Sequence, residues 1–312
     1  MGSPTTWAFV TPSYVGDLER CRLLCRSMDS FLSGPWHHYI VVDQPDWDLF
    51  KEFIGPRRTV LLTHDIVPKG MHHLFNVPFA KGRSLWWSRS TGFMVGWHLQ
   101  QFVKIGMASQ VSDEGLAYCD SDVFFLKPFD VANLSKQGRL RMYRSFEPQL
   151  LSAVGNPKYT ENALAILGLP LEPRPYYDYV DNFITWHRPT VLEMCRHIEA
   201  KSGRSWHGAL GRKLKISEYA LYGNFVDGVQ KSVTHVYADP YTLCRTQWDR
   251  SKKSDEDVRA FCAGLNPQQV AVGIQSFAGV DVKLLKSILD VATSGKAKAQ
   301  PPPESLGLDH VA

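Results

Sequence analysis

Four short apolar runs in the first part of the chain constrain its fold more than any other feature of the sequence. They span residues 7–11, 39–42, 59–63 and 116–119, and each is rich in residues that favour β-strands. A helical pattern over residues 17–32 lies between the first two runs. Strands that alternate with helices are typical of a largely parallel sheet with helices on its faces, so the sequence predicts an α/β fold.

The rest of the sequence predicts further elements and the extent of the domain. Hydrophobic periodicity predicts helices over residues 90–105, 158–167, 189–202 and 218–223 and a strand over residues 232–237. A chain of 312 residues suits one large domain or two small ones, and we expect a single domain over residues 1–293. Residues 294–312 are mostly small, charged or proline, so we expect a disordered tail there.

Two carboxylates lie two residues apart inside an apolar stretch. Asp120 and Asp122 follow the run at residues 116–119 and precede another at residues 123–126. A strand that ends in Asp-x-Asp brings both acids to one sheet edge, where they can share a divalent cation. Short acidic triplets also occur in solvated turns, but acids among apolar residues are costly unless they are paired or bind metal. Carboxylates suit Mg²⁺ or Mn²⁺ better than zinc. The sequence therefore favours a metal-assisted transferase that acts on a nucleotide sugar.

Composition and charge exclude several classes of protein. The formal charge of +4 is too small to indicate nucleic-acid binding, and we interpret the basic cluster at residues 204–215 as a solvated face. The six cysteines show no spacing typical of a zinc site, which suggests free thiols in a reducing compartment. The sequence begins without a secretory pattern and contains no apolar run long enough to span a bilayer. We expect a cytoplasmic protein, and peripheral attachment to a membrane stays open.

Several short blocks together resemble bacterial glycosyltransferases of the GT-A type. The blocks are Thr11-Pro12-Ser13-Tyr14, Gly82-Arg83-Ser84-Leu85-Trp86-Trp87, Gln101-Phe102-Val103-Lys104, Asp120-Ser121-Asp122-Val123 and Ser217-Glu218-Tyr219. The resemblance covers most of residues 6–280. It implies a Rossmann-like α/β/α sandwich with a mostly parallel central sheet, a nucleotide-binding half over residues 6–130 and an acceptor-side half over residues 131–293. It also implies a nucleoside diphosphate sugar donor, with UDP the most frequent nucleotide, and Mn²⁺ or Mg²⁺ on Asp-x-Asp.

The acceptor implied by the resemblance is a saccharide or a glycolipid, as in polysaccharide biosynthesis. The residues expected to contact the donor follow predicted strand ends or carry positive charge; they are Thr11, Tyr14, Asp43, Arg83, Lys104 and Asp120. Thr11 and Asp43 could bond the base or the ribose, and Tyr14 could stack on the base. Arg83 and Lys104 could balance the charge of the diphosphate. The alternatives are ordinary loop packing for Tyr14 and an exposed helical position for Lys104.

The resemblance also suggests groups for catalysis and for the metal. An inverting transfer needs a general base, and Glu218 is the first candidate because it follows the N-cap Ser217 in a late acidic block. Asp181 is the second candidate. Glu218 could instead only stabilise a helix start, and a retaining enzyme needs no such base. His235 is the candidate for a third metal ligand, with a hydrogen-bonded core histidine as the alternative.

Aromatic side chains give further candidates for contact with the acceptor sugar. Trp186, His187 and Trp206 could face it, although core packing explains them equally well.

Two other functions compete with glycosyl transfer. A sugar nucleotidyltransferase would require a glycine-rich loop with a basic residue after the first strand, but residues 11–17 contain one glycine and no Lys or Arg. A non-catalytic carbohydrate-binding protein would need only the aromatic residues, and that interpretation leaves Asp120 and Asp122 without a role.

Overall fold

The computed structural model describes residues 6–76, 84–145, 157–171, 176–213, 215–231, 234–249, 251 and 253–299. The strands are β1 (Trp7–Pro12), β2 (Leu32–Ser33), β3 (Trp36–Val42), β4 (Arg58–Leu62), β5 (His72–Asn76), β6 (Ser84–Ser88), β7 (Gly92–Val95), β8 (Gly115–Cys119), β9 (Val123–Phe125), β10 (Phe129–Asp130), β11 (Ser135–Lys136), β12 (Arg139–Tyr143), β13 (Phe183–His187), β14 (Val236–Asp239), β15 (Cys244–Gln247) and β16 (Ala271–Ile274). The helices are α1 (Leu18–Phe31), α2 (Trp47–Phe50), α3 (Thr63–Ile66), α4 (Trp97–Gly106), α5 (Pro157–Leu167), α6 (Arg188–Ser202), α7 (Trp206–Leu210), α8 (Glu218–Phe225), α9 (Asp255–Ala263) and α10 (Val282–Ala299).

The fold is mixed α/β, as the sequence predicts. Its largest sheet has the strand order β13-β8-β1-β3-β4, in which β8, β1, β3 and β4 are parallel and β13 is antiparallel. Val10 of β1 lies opposite Tyr118 of β8, and Pro12 lies opposite Val41 of β3. The loops that follow these three strands therefore leave the sheet at the same edge, which is where ligands bind in open α/β sheets.

Both faces of the middle of this sheet are covered, which explains why β1 and β8 are almost entirely apolar. Every residue of β1 is buried. In β3, Val41 packs into the main hydrophobic cluster, whereas Ile40 and Val42 pack into a second cluster with Cys21 and Cys25 of α1. The alternation along one strand shows that apolar side chains meet the sheet from both sides.

The predicted helix over residues 90–105 is only partly correct. Residues 92–95 form β7, which pairs antiparallel with β6, and the helix begins at Trp97. A turn separates the two strands, because the Ser88 hydroxyl accepts a hydrogen bond of 3.0 Å from the backbone N–H of Thr91. Gly92 and Gly96 have φ values of 75° and 49°, a region that is unfavourable for other residues and incompatible with a continuous helix.

The C-terminal helix extends into the segment that is expected to be disordered. The structure shows α10 through Ala299, so the first part of the expected disordered tail is helical. Alanine and lysine alternate there and both favour helices, which outweighs the glycine at position 295. Residues 300–312 lie outside the described part of the chain. Of the helices that the structure describes, none combines the length and the apolar character needed to cross a membrane.

Candidate active site

A cavity of about 420 Å³ opens at the carboxyl edge of the central sheet. Asp120 and Asp122 reach it from the loop after β8, and Asn182 reaches it from the residue before β13. Glu218 enters from the first turn of α8, and Lys104 enters from α4. The remaining lining residues are Pro12, Tyr14, Asp17, Trp97, Gln100, Ser121, Tyr159, Val180, Ser217, Tyr219, Trp248, Gln275, Ser276 and Phe277.

Asp122 is held in place by the last residue of β16 and by the chain that follows β16. Its backbone carbonyl accepts a hydrogen bond of 3.1 Å from Ile274, and its Oδ2 accepts one of 3.2 Å from the backbone N–H of Ser276. The other carboxylate oxygen, Oδ1, is buried and receives no hydrogen bond from any described residue. Burial, reinforced by the charge of Asp120, raises the pKa of the Asp122 carboxyl to about 7.

Lys104 is a buried cation between two carboxylates. Its Nζ lies 3.0 Å from Oδ1 of Asp120 and 3.2 Å from Oε1 of Glu218, and it donates a hydrogen bond of 2.7 Å to the Tyr219 hydroxyl. Burial opposes the charge of Lys104, but Asp120, Tyr219 and Glu218 together outweigh it and raise the pKa of the ammonium group. An ammonium group has three donors, and three partners surround this one. Lys104 therefore connects the two sides of the cavity.

Glu218 is an acid whose placement is fixed while its carboxylate oxygens remain available. The side-chain oxygen of Ser217 caps α8 by accepting a hydrogen bond of 3.3 Å from the backbone N–H of Ala220. Glu218 is only 1 % exposed, yet neither of its carboxylate oxygens receives an aligned hydrogen bond from a described residue. Burial raises the pKa of this carboxyl, and the nearby Lys104 works in the opposite direction. A buried acid with a raised pKa at a cavity wall is suited to exchanging a proton.

Aromatic side chains surround the acidic part of the cavity. Trp97 and Tyr159 pack together with a distance of 5.5 Å between ring centroids, and Trp248 and Phe277 also line the cavity. Rings of this kind offer flat apolar surfaces against which a sugar or a nucleobase can pack.

A smaller cavity of about 40 Å³ lies beside the first one. It shares Pro12, Tyr14 and Gln100 with the larger cavity, and it is also lined by Asp43 and Ser84. The Ser84 hydroxyl donates a hydrogen bond to the Asp43 carboxylate. Polar side chains that follow β1, β3 and β8 therefore line two adjoining spaces at one sheet edge, as expected for parallel strands.

A comparison with protein-family models matches residues 8–278 to DUF6492, a family of unknown function. The chain belongs to DUF6492. Every residue that lines the larger cavity, from Pro12 to Phe277, falls within the matched region. The DUF6492 region thus contains the whole candidate site. A search of curated proteins finds no match.

The two aspartates provide a partial ligand set for a divalent cation. Asp122 Oδ1 is buried and lacks a hydrogen-bond donor among the described residues, and the side chain of Asp120 is 34 % exposed. Within the described ranges, no group of three or more His, Cys, Asp or Glu residues is arranged to hold a metal ion. Mg²⁺ is commonly held by one or two carboxylates, with water and substrate phosphates as its other ligands. The residues present therefore fit a cation that binds together with a phosphorylated substrate.

The predicted donor-binding residues have different positions in the structure. Thr11 is fully buried, and its hydroxyl donates a hydrogen bond of 2.8 Å to the carbonyl of Cys119. The same hydroxyl oxygen lies 2.9 Å from Nε2 of His38, so the Thr11 side chain does not face the cavity. Tyr14 lines both cavities and Asp43 lines the smaller one. Arg83 lies outside the described residues.

Lys104 does reach the cavity, but it is neither an exposed helical residue nor a free cation that could balance a diphosphate. Its ammonium group donates to Tyr219, and its charge is already balanced by Asp120 and Glu218, which lie 3.0 and 3.2 Å away. The expected role of Lys104 as a phosphate ligand is corrected to one in which it pairs with the carboxylates of the site.

His235 is separated from the two aspartates. Its ring lies 4.2 Å from that of His187, and its Nε2 lies 2.7 Å from the Thr190 hydroxyl. His187 pairs with Gly115 at the start of β8, whereas Asp120 follows the other end of that strand. The five residues of β8 span roughly 13 Å at the usual rise per residue. One ion cannot contact both ends, so His235 is not a third ligand of the Asp-x-Asp site and is instead a hydrogen-bonded histidine.

Asp181, the second candidate base, is buried behind the cavity rather than on its wall. Its Oδ1 accepts a hydrogen bond of 2.8 Å from the backbone N–H of Asn182, and its Oδ2 has no partner among the described residues. Burial raises the pKa of this carboxyl to about 7. The neighbouring Asn182, rather than Asp181, lines the cavity.

The three aromatic candidates for acceptor contact do not line the cavity that the described residues form. Trp186 stacks on Tyr222 at 4.9 Å between ring centroids, and Trp206 packs on Phe102 at 5.5 Å. His187 belongs to the histidine pair at the far end of β8. Core packing accounts for all three.

Two residues at or beside the site, Arg20 and Asp17, are not among the candidates that the sequence predicts. Arg20 donates hydrogen bonds of 2.9 Å to the carbonyl of Ile274 and 3.2 Å to that of Val280, which fixes the chain beside Asp122. Its partners lie far away in the sequence, so no pattern around Arg20 could have indicated this role. Asp17 follows β1 by a few residues, and the rule that ligands bind beyond strand ends could have identified it.

Proposed function

We propose that the protein is a glycosyltransferase of the GT-A type, which moves a sugar from a nucleoside diphosphate sugar to a saccharide or glycolipid acceptor. The observation that carries this proposal is the convergence of Asp120, Asp122 and Glu218 on one cavity at the carboxyl edge of parallel strands. The mixed α/β fold with its mostly parallel central sheet supports the same conclusion.

On the donor side, Asp120 and Asp122 would hold Mn²⁺ or Mg²⁺ against the diphosphate of the donor. A cation held by these two carboxylates would offset the negative charge that develops on the departing diphosphate. Tyr14 lies between the two cavities and offers a ring on which a base can stack. The small cavity with Asp43 would take a polar part of the nucleotide.

On the acceptor side, Glu218 would take the proton of the attacking hydroxyl. The hydroxyl oxygen forms a bond to C1 of the donor sugar while the bond from C1 to the diphosphate oxygen breaks, and the configuration at C1 inverts. The carboxylate oxygens of Glu218 have no aligned donor among the described residues, so they are available to accept this proton. The aromatic side chains Trp97, Tyr159, Trp248 and Phe277 would pack against the sugar rings.

Lys104 has a positioning role in this mechanism. It lies within 3.0–3.2 Å of Asp120 and Glu218, so it stabilises their charged forms inside the buried site. It also keeps the metal-binding side and the acceptor side at a fixed separation.

The aromatic rim of the cavity, formed by Trp97, Tyr159, Trp248 and Phe277, gives some support to a second candidate function, carbohydrate binding without catalysis. The rim alone would bind a saccharide, but this function does not account for Glu218, a buried acid without aligned hydrogen bonds at the cavity wall. In that case nucleotides would have no effect on the protein.

A thermal-shift experiment with nucleoside diphosphates, with and without Mn²⁺, tests the proposal. At a hundredfold excess over the dissociation constant, a ligand adds about 2.7 kcal/mol to the free energy of unfolding. This corresponds to a rise of several degrees in Tm for a domain of this size. We expect the rise to require Mn²⁺, to disappear in Asp122→Asn and to persist in Asp48→Asn, an exposed control. A protein stabilised by saccharides alone would instead support the non-catalytic alternative.

A further inference from the structure

The three-stranded antiparallel sheet formed by β5, β6 and β7 exposes an apolar face. Trp87 lies opposite Phe93, and Leu85 lies opposite Val95 on one side and Phe75 on the other. Phe93 is 68 % exposed and Trp87 is 39 % exposed, and Val95 and Phe75 are also exposed. Their sequence neighbours Trp86 and Met94 point to the opposite face and are buried. Since side chains alternate along a strand, one face of this sheet packs on the protein. The other face also carries the exposed His72, opposite Trp87, but is otherwise mainly apolar and is not covered by described residues.

Single exposed apolar side chains are common on protein surfaces, but here several occur within a short part of the chain. Large exposed hydrophobic residues between positions 74 and 97 are Leu74, Phe75, Trp87, Phe93, Val95 and Trp97. Phe75, Trp87, Phe93 and Val95 lie on the outer face of the sheet, and a group of exposed apolar side chains on one face usually marks a surface that binds another molecule or a membrane.

Positive charge borders the same sheet. No Asp or Glu occurs between residues 66 and 112, and none occurs between residues 200 and 217. The two segments meet in space, because a Cβ atom added to Gly211 would lie 2.5 Å from Cβ of Thr91, in the turn between β6 and β7. Arg89 in that turn and Arg212 and Lys215 in the second segment are all exposed. Arg89, in the turn, and Arg212, the neighbour of Gly211, therefore give the turn end of the sheet, next to Trp87 and Phe93, a cationic border.

We propose that this sheet face docks on the surface of an anionic lipid bilayer. Aromatic and aliphatic side chains favour the boundary between headgroups and acyl chains, and each nearby Lys or Arg adds attraction to anionic headgroups. A second copy of the chain is a poorer occupant, because a two-fold symmetric contact through this face would bring the cationic borders of both copies together.

The exposed sheet face adjoins the larger cavity along the chain. What this implies for the acceptor rests on the proposed function. β7 ends at Val95, and after Gly96 the chain reaches Trp97, which lines the larger cavity. A membrane bound at the sheet would lie near the cavity, which favours an acceptor of the glycolipid class over a free saccharide.

Vesicle flotation of the full chain tests the docking directly. The protein is mixed with vesicles of phosphatidylcholine alone, or with about one-third phosphatidylglycerol added. Donor and metal are left out, so the result does not depend on whether the protein transfers sugar. We expect binding to the anionic vesicles that weakens at high salt and much weaker binding to the neutral ones. The double variant Trp87→Ser/Phe93→Ser should lower the partition coefficient by at least about tenfold. Arg89→Gln/Arg212→Gln should lower it roughly tenfold for anionic vesicles only.

The matched control is Leu49→Ser/Ile54→Ser, which removes two exposed apolar side chains outside this sheet and should leave vesicle binding unchanged. Circular dichroism checks that each variant is folded. Absence of binding by the wild-type chain, or equal binding by Trp87→Ser/Phe93→Ser, would overturn the proposal. Light scattering of the protein without vesicles tests whether a second copy of the chain binds this face instead. A dimer that dissociates in Trp87→Ser/Phe93→Ser would assign the face to a second copy and would also overturn the proposal.

Discussion

At the scale of single residues, the site depends on charged groups that are taken out of water together. Burying an isolated charge is costly, and Lys104 is tolerated because two carboxylates and a hydroxyl surround it. Glu218 benefits from the same cation but lacks aligned hydrogen bonds from the described residues. Burial raises the pKa of its carboxyl, and its oxygens are incompletely satisfied, so the group is suited to accepting a proton.

The first prediction concerns Glu218. Glu218→Gln keeps the size and the helix propensity of the side chain but removes its basic oxygen. If Glu218 accepts the acceptor proton, single-turnover transfer should fall by roughly 10²- to 10⁴-fold, while nucleotide affinity changes little. Glu256→Gln is the matched control, because Glu256 also occupies the first turn of a helix but is exposed. A near-native rate in Glu218→Gln would reject the base, and a loss of affinity equal to the loss of rate would assign Glu218 to the donor.

The second prediction concerns Asp181 and the pH dependence of stability. Burial raises the pKa of its carboxyl to about 7 in the folded protein, well above its ordinary value. Between the two values the folded state keeps a proton that the unfolded chain has lost, so the free energy of unfolding falls as pH rises through this window. Asp181→Asn is neutral at every pH and retains an oxygen that can accept from Asn182. Its stability relative to wild type should therefore increase from pH 5 to pH 8, by at most about 3 kcal/mol, because only the part of the window from pH 5 to about 7 is covered. Urea unfolding at both pH values measures this difference, and an equal difference at the two values would contradict it.

At the scale of elements, the sequence predicts those whose hydrophobic pattern is strong and local. The strands β1, β3, β4 and β8 and the helix α1 are continuous apolar or amphipathic stretches, and the structure confirms them within a few residues. Residues 92–95 were not predicted as a strand, because the turn that creates the β6–β7 hairpin depends on the Ser88 hydroxyl and on two glycines with positive φ.

The parts of the site that the sequence could not predict depend on contacts between distant segments. The strand-end rule correctly brings Asp120 to the edge of the sheet, because it needs only the order of the elements. The partners of Lys104 and the separation of His235 depend on how α4, α8 and β14 pack, and no local periodicity encodes that. Thr11 was assigned to the site because it ends a predicted strand, but its side chain points into the core.

The third prediction concerns the start of α8. Ser217→Ala removes the N-cap and should cost about 1 kcal/mol of stability. Ser254→Ala removes the N-cap of α9 and should cost a similar amount, so it serves as the control. Only Ser217→Ala should also reduce sugar transfer, by at least about tenfold, because it loosens the turn that positions Glu218. Equal activity in the two variants at a temperature where both are folded would show that the cap of α8 has no role in the site.

At the scale of the whole molecule, one packed body supports the site from segments that are far apart in sequence. The main hydrophobic cluster includes Phe9 of β1, Tyr118 of β8 and Leu221 of α8. It also includes Leu285 and Leu289 of α10, a helix that lies beyond the matched family region at residues 8–278. The cavity wall is therefore fixed by the core, which is what preorganisation of a catalytic site requires.

The most direct test of glycosyl transfer is to measure donor consumption together with the anomer of the product. The protein is incubated with a panel of nucleoside diphosphate sugars and saccharide or glycolipid acceptors, and NMR follows both species. We predict release of a nucleoside diphosphate and a product of inverted configuration in the presence of Mn²⁺. Both should be lost in EDTA and in Asp122→Asn, and both should persist in the exposed control Asp48→Asn. Full turnover in excess chelator would contradict the metal role of Asp120 and Asp122, and no turnover of any donor would contradict the proposed function itself.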